Sequence, residues 1–561
     1  MTTHRSSSSA EPQQKPLAVA DRGGPGQSLP TAAEAEASAG LQEAAVRSQE
    51  SLAAASRAAS AALPRSWVVP ALIAVTLLGA ALRFYHLGAA SFWVDELFTI
   101  DSTIDLAEGR WVARELAFIP SLIALRLAGL DISAMSPDQY HLWQALGITE
   151  PLARLPFCLI GIASIPILAI LSQRLIGWRA ALMLALLLAV SPWHVWMSQT
   201  ARFYVQQFLL YNLCLLLYLD ATERQSRWGL VGAAVCLVLA FSTQLTSLLI
   251  VGVFALDALI AYARRQPLRL PRGGWLTLAA AVLVCLGLWA AHFWHSTDTY
   301  TNFRGSTQSA IHLLLGLPLL TGVGVVVLAG LSAVWLYPLR PRLATVLVLS
   351  AVLPLVAFMG LALAGADVHI RYLFVSLLAW LMLAAIGLDR LWQALRPRLG
   401  LALALAPLAV TMGVLMFDDF GYYTGGMGYQ PRWREAFSYV ATHRREGQLV
   451  AGDYIPHIVG RYYLQDPDLL MLTTATTPQD LETMAAGQPM WIVVRGESAT
   501  GGRQWRWLDQ VAQLQTYFAA RILQPYSSVH VYYYQPPAPQ QPTEPGSEPE
   551  PILSGLPDAQ S

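Results

Sequence analysis

Charge is what this 561-residue chain has least of: Asp, Glu, Lys and Arg make up 13% of it, they cancel to a formal net charge of +0, and the single lysine is Lys15. Without a basic surplus, and without aromatics interleaved through a basic stretch, the chain carries no nucleic-acid footprint. Cysteine is scarce too. Cys158, Cys214, Cys236 and Cys285 fall inside apolar runs with no metal-ligand spacing, which argues against both a disulfide framework and a zinc site. A cleavable signal peptide is also missing. Residues 1–64 are rich in Ala, Ser, Gln and Glu, and the first apolar run opens only at Trp67, so that run is expected to stay as an anchor.

What the chain has in excess is apolar surface, 55% of residues, more than one soluble core of this length can hide. The bilayer must be part of its solvent. Apolar runs lie at about 67–84, 152–172, 179–194, 204–220, 229–243, 246–263, 274–294, 309–335, 344–364, 371–389 and 399–417, most of them near the roughly 20 residues a helix needs to cross hydrocarbon. The expected fold class is therefore mainly α, a polytopic membrane protein of about eleven transmembrane helices.

Arginine sets the orientation. Every second short loop carries it: Arg174 and Arg179, Arg224 and Arg227, Arg264 to Arg272, Arg340 and Arg342, and Arg390 to Arg398. The positive-inside rule puts those loops in the cytoplasm, the N-terminus with them, and both 85–150 and everything after Phe417 outside. The implied location is the cell (inner) membrane. The expected organisation is a disordered cytoplasmic tail (1–65), a transmembrane catalytic module (66–417) with an outer loop (85–150) holding a juxtamembrane helix near 112–130, a small soluble α/β outer domain (418–535), and a disordered Pro-rich tail (536–561). Within the outer domain, 432–445 and 503–517 read as helices, and 449–452, 490–494 and 528–534 as strands.

Three polar clusters fall at the outer ends of the apolar runs. The first is Ser91 to Thr99, with Asp95 and Glu96 set among large apolar residues just after the first run. A carboxylate in such a place serves as a base, binds a metal or simply faces water. The second, Ser191 to Tyr204, combines Trp193, His194, Trp196, Gln199 and Arg202. The tryptophans suit an interfacial belt, whereas an outer arginine runs against the positive-inside trend and calls for a phosphate or carboxylate partner. The third, Asp367 to Tyr372, brings His369 and Arg371 to headgroup level, to clamp an anion or to snorkel to lipid phosphate. Asp257, inside the sixth run, reads as a structural partner for a neighbouring polar group or for Arg264.

In order, Trp93-Val-Asp95-Glu96, Arg154-Leu-Pro156, Ser198-Gln-Thr-Ala-Arg202-Phe-Tyr204 and His369-Ile-Arg371-Tyr372 resemble the GT-C glycosyltransferases, especially their protein O-mannosyltransferase, lipid A aminoarabinose transferase and rhizobial lipopolysaccharide sugar transferase branches. The resemblance implies an inverting transfer from a polyprenyl-phosphate sugar to a lipid, glycan or protein acceptor on the outer face. Asp95 would be the general base and Glu96 would position acceptor or loop. Arg202, His369, Arg371 and Tyr372 would bind the donor phosphate, and Trp93, His194, Gln199 and Tyr204 would contact donor or acceptor. No cofactor and no essential metal is implied. Because the chain has no lysine outside its tail, aminoarabinose is disfavoured as the sugar. A polyprenyl-lipid or anion transporter and a non-catalytic scaffold with the same fold are the alternatives. Against the transporter, the sequence shows no internal repeat and its polar clusters sit at one face.

Overall fold

The structure, a computed structural model, describes residues 65–536 except 111, 113, 133–134, 267, 269, 296–306, 367, 426–429, 474, 496–504, 506 and 520–527. Residues 1–64, those from 537 on, and Asp367 lie outside the described residues, as do the expectations placed on them.

A first long helix, α1 (Arg65–Phe84), leads into three short ones, α2 (Val94–Ala107), α3 (Ile119–Leu127) and α4 (Tyr140–Trp143). There follow α5 (Glu150–Ala189), α6 (Pro192–Ser198), α7 (Tyr204–Arg224), α8 (Arg227–Thr243), α9 (Leu249–Ala263), α10 (Gly274–His295), α11 (Thr307–Thr321), α12 (Val323–Leu336), α13 (Pro341–Leu363) and α14 (Leu377–Thr424). Of the described helices, six are long and apolar enough to cross a membrane, and the pair Ala310–Thr321 and Val323–Leu336, bent by 89°, makes a seventh if taken as one span. This is fewer than the eleven runs counted in the sequence. Two of the six each hold two runs, because α5 breaks at Gly177 (φ 79°, ψ 161°) and α14 at Gly400 (φ 78°, ψ −178°). Both breaks use backbone angles that are essentially reserved for glycine. The run at 229–243 lies in α8, which has only 17 residues, and α7 is interrupted by Gln206, Gln207 and Asn212.

Helix α1 shows why composition pointed to a bilayer. Val68 and Leu72 pack inward, while Trp67, Val69, Ile73 and Leu77 stay exposed on the same helix, a face suited to hydrocarbon. Arginines of the alternate loops find partners at one end of the bundle. Arg179 pairs with Asp389, Arg174 with Asp220 at 3.2 Å, and Arg340 with Glu223 at 2.5 Å. Asp257 is indeed a structural partner, though not for Arg264: it accepts from Tyr218 Oη at 2.9 Å and pairs with Arg342 at 2.9 Å.

After α14 come α15 (Trp433–His443), β1 (Leu449–Asp453), α16 (Tyr454–Leu464), β2 (Leu470–Leu472), α17 (Pro478–Ala485), β3 (Met490–Arg495), α18 (Leu508–Val511), β4 (Gln513–Phe518) and β5 (Val529–Tyr534). They form one sheet in the order β2-β1-β3-β5-β4, parallel from β2 to β3 and antiparallel beyond. Both faces are covered, as period-2 side chains require when helices flank a sheet. Ala451, Ile492 and Tyr532 pack with Leu481 and Leu508, while Val450, Val493 and Val531 join the cluster that holds Trp433 and Phe437. The helix expected over 503–517 is corrected in part: described residues there give the four-residue α18 and then β4, because Gln513–Phe518 finds a ladder on β5. The sheet unit is tied to the helical bundle where α2 and α5 begin. Arg434 pairs with Glu150, Tyr463 Oη donates to Glu150 at 2.8 Å, and Tyr462 Oη to Ile148 O at 2.8 Å.

Candidate functional site

The loop leaving α1 is wrapped around one guanidinium. Arg154, on the first turns of α5, donates to the carbonyls of Leu87 (3.1 Å), Ala90 (2.9 Å) and Ser91 (2.9 Å). It also grips Glu96 in a fork, Nε to Oε1 at 2.9 Å and Nη2 to Oε2 at 2.8 Å. Glu96 accepts in addition from Trp93 N (3.0 Å) and from Ala201 N (2.7 Å). Four donors fill the acceptor sites of one carboxylate. Both residues are fully buried, so Glu96 ties α2, α5 and the segment before α7 together and has no lone pair left for a ligand.

That knot sets the adjacent residue, Asp95, in the first turn of α2, where the helix dipole favours an anion. Its Oδ2 lies 3.2 Å from Arg371 Nη2. Arg202 is fixed from the other side, donating to the backbone carbonyl of Asp95 and to Thr99 Oγ1, each at 3.0 Å. Aromatic rings hold the guanidiniums: Arg371 lies over Trp93 at 4.4 Å, Tyr372 at 5.7 Å and Tyr204 at 5.8 Å, and Arg202 over Phe203 at 4.6 Å. His369 stands edge-on to Tyr372 with centroids 6.0 Å apart. Burial pushes the Asp95 carboxyl up, and Arg202, Arg371, His369 and Arg114 outweigh burial, holding it below the ordinary carboxylate value. The carboxylate is thus paired with Arg371 and flanked by Arg202, and Arg114 lies near the same Phe203 ring as Arg202. The buried Nε groups of Arg202 and Arg371 have no hydrogen-bond acceptor among the described residues. A surplus of fixed positive charge of this kind suits an anion.

Trp93, Asp95, Arg202, Tyr204, His369, Arg371 and Tyr372 are therefore brought together from segments that lie far apart in sequence. His194 and Gln199 are not with them. Both belong to a second network around Arg83, which is fully buried and donates to Gly79 O (2.8 Å), Ala189 O (2.8 Å), Leu188 O (3.0 Å) and His194 Nδ1 (2.8 Å). An arginine can only donate, so Nδ1 accepts and the proton of the neutral ring sits on Nε2, 3.1 Å from Ser164 Oγ. Gln199 donates to Arg83 O (3.0 Å) and Tyr85 O (2.7 Å) and accepts from Tyr422 Oη (3.0 Å). These contacts lock α1, α6 and α14 together. Trp193 is fully buried against Phe374, with centroids 5.5 Å apart, and is not an interfacial anchor.

Arg114 is not among the sequence candidates, because it lies in a stretch that reads as an interfacial helix. In the structure it has left-handed backbone (φ 65°), donates to Gln244 Oε1 and lies 5.2 Å from the Phe203 ring centroid. An arginine inside an apolar outer segment was the signal available for it.

No protein-family model and no curated protein matches the chain. Among solved structures it is similar to ArnT from Cupriavidus metallidurans in the apo state, at 17% identity over 83% of this chain and 98% of that one, TM-score 0.49. It is similar to the Archaeoglobus fulgidus oligosaccharyltransferase at 10% identity over 77% and 70% of the two chains, TM-score 0.48. The arabinofuranosyltransferase AftD from Mycobacteria aligns at 16% identity over 85% of this chain and 40% of its own, TM-score 0.43.

Proposed function

We propose that the protein is a membrane glycosyltransferase that moves a sugar from a polyprenyl-phosphate carrier to a hydroxyl-bearing acceptor. The observation that carries this reading is the arginine surplus around Asp95: a carboxylate and a guanidinium within ion-pair distance, with further arginines beside them, in a protein of long apolar helices.

In the proposed reaction the acceptor oxygen forms a bond to the anomeric carbon with inversion. Its proton passes to Asp95, the bond from the anomeric carbon to the phosphate oxygen breaks, and the electron pair leaves with the phosphate. Arg371 and Arg202, with Arg114 and His369 beside them, stabilise the departing charge. A carboxylate paired to Arg371 is a weak base. Donor phosphate oxygens compete for that guanidinium, and as they neutralise it the hold on Asp95 relaxes and its basicity rises. The donor thus activates the base that its own transfer needs. Glu96 acts through position, as the knot under Asp95. Because guanidiniums already supply the positive charge, a divalent cation would meet repulsion here, and the transfer is proposed to be metal-independent. By the arginine distribution, the reaction faces the outer side of the cell membrane.

The test is transfer in proteoliposomes from a panel of labelled undecaprenyl- and dolichyl-phosphate sugars, with native protein and Arg371→Ala at matched amounts. Transfer from one donor by the native chain, lost in the variant, supports the reading. Absence of transfer from every donor, with transport of a polyprenyl phosphate across the vesicle wall instead, would replace it.

A further inference from the structure

Where the exit of α1, the end of α14 and the start of α15 meet lies a pocket of about 240 Å³ that shares no lining residue with the arginine site. His86, Ser91, Tyr423, Gln430, Arg432 and Glu435 supply its polar and aromatic lining. Its charges cancel locally: Arg432 Nε donates to Glu435 Oε1 at 3.0 Å, and Ser91 Oγ lies 3.4 Å from Glu435 Oε2. Neither an anion nor a cation is favoured. The remaining chemistry is a dense mixture of donors and acceptors beside two rings, since His86 and Tyr423 stand edge to face with centroids 6.5 Å apart. Gln430 is only 9% exposed, and its Oε1 has no hydrogen-bond partner among the described residues. A buried amide oxygen left without a donor is costly, and a ligand hydroxyl removes that cost.

A neutral ligand rich in hydroxyls, each able to donate and accept, fits this lining. The volume falls below the roughly 300–1,000 Å³ of sites for drug-sized molecules, so it suits one or two sugar rings. One buried knot connects the pocket to the proposed reaction site. Ser91 lines it, and the carbonyl of the same residue is held by Arg154, the guanidinium that grips Glu96 beneath Asp95. We propose that this pocket is a saccharide subsite that seats part of the acceptor, an inference that rests on the glycosyltransferase reading above.

The experiment uses the full chain in nanodiscs and two readouts. First, saturation-transfer NMR with the methyl glycosides of glucose, mannose, galactose and N-acetylglucosamine measures binding without requiring transfer. At least one glycoside is expected to bind the native chain and to bind Arg371→Ala equally well. Its affinity should fall about three- to tenfold in Gln430→Ala and in Gln430→Met, which keeps the bulk without the amide, and likewise in Glu435→Gln. Second, with a saccharide acceptor, KM for acceptor should rise by the same factor in these variants while hydrolysis of the donor by water is unchanged. No glycoside binding to the native chain, or binding indifferent to all three pocket variants, overturns the subsite. Glycoside binding that follows the pocket variants, with no transfer from any donor, sinks the glycosyltransferase reading and leaves the saccharide site standing.

Discussion

At Asp95 the group proposed as base is also the counter-ion of the guanidinium proposed to hold the leaving phosphate, so one substitution should separate the two roles. Asp95→Asn is expected to lower transfer by roughly 10²–10⁴-fold while donor binding persists or strengthens, because a carboxylate that competes with phosphate is gone. A single-turnover assay beside a donor-binding isotherm reads both; transfer within threefold of native would remove Asp95 from the base role. A second carboxyl on the same helix titrates the other way. Burial, chiefly, and the nearby Asp138 and Asp105 carboxylates push Asp101 up to about 6, against hydrogen bonds from Asp138 N and Tyr140 Oη. Its folded value is above the unfolded one near 3.9, so its contribution to stability is present at low pH and lost as pH rises through about 6. Asp95, held low, does the reverse and contributes until pH falls through its own depressed value. Asp101→Asn should therefore raise the thermal midpoint more at pH 8 than at pH 5, and equal gains at both would contradict this. Among site residues, Arg202 and Arg371 were legible because arginine on the arginine-poor side is out of place. Arg83 was not, since three of its four partners lie more than 100 residues away.

At the scale of elements, Glu96 and Arg154 hold α2, α5 and the segment before α7 together through a fully buried pair. Removing either partner leaves a buried charge uncompensated, which costs about 3–5 kcal/mol. Glu96→Gln and Arg154→Met should each lower the melting midpoint in detergent, and the double variant should recover part of the loss. Additive losses would mean that the pair is not coupled. The broken helices make a separate claim. Gly177→Ala should cost about 1–3 kcal/mol, because α5 turns there through angles that a Cβ does not tolerate. Element type was readable from the unbroken apolar run of Met490–Arg495, which is buried on both faces, and from the helical spacing of Trp433–His443. Residues 513–518 were misread because their strand exists only through pairing with β5.

For the whole molecule, the arginine distribution and the single-faced clusters make claims that need no atomic detail. In a variant lacking its four cysteines, a thiol introduced at exposed Gln465 and one at exposed Arg265 should react with a membrane-impermeant reagent from opposite sides of the membrane. Labelling from the same side would reverse the topology. Transfer should also survive EDTA, and its loss with recovery on adding Mg²⁺ or Mn²⁺ would show a metal that the guanidinium surplus argues against.

What the sequence determined alone is what each residue decides with its own neighbours: that the chain is largely apolar, where the runs begin and stop, and which end of each run carries arginine. Partition between water and hydrocarbon depends on a local window of side chains, so it survives without knowledge of contacts. Tertiary structure decided the pairings: Glu96 gripped by Arg154, His194 taken up by Arg83, Asp257 given to Arg342 rather than Arg264, and Arg114 brought to the Phe203 ring near Arg202. The first three depend on distances between segments 58, 111 and 85 residues apart, which packing fixes and no local window contains.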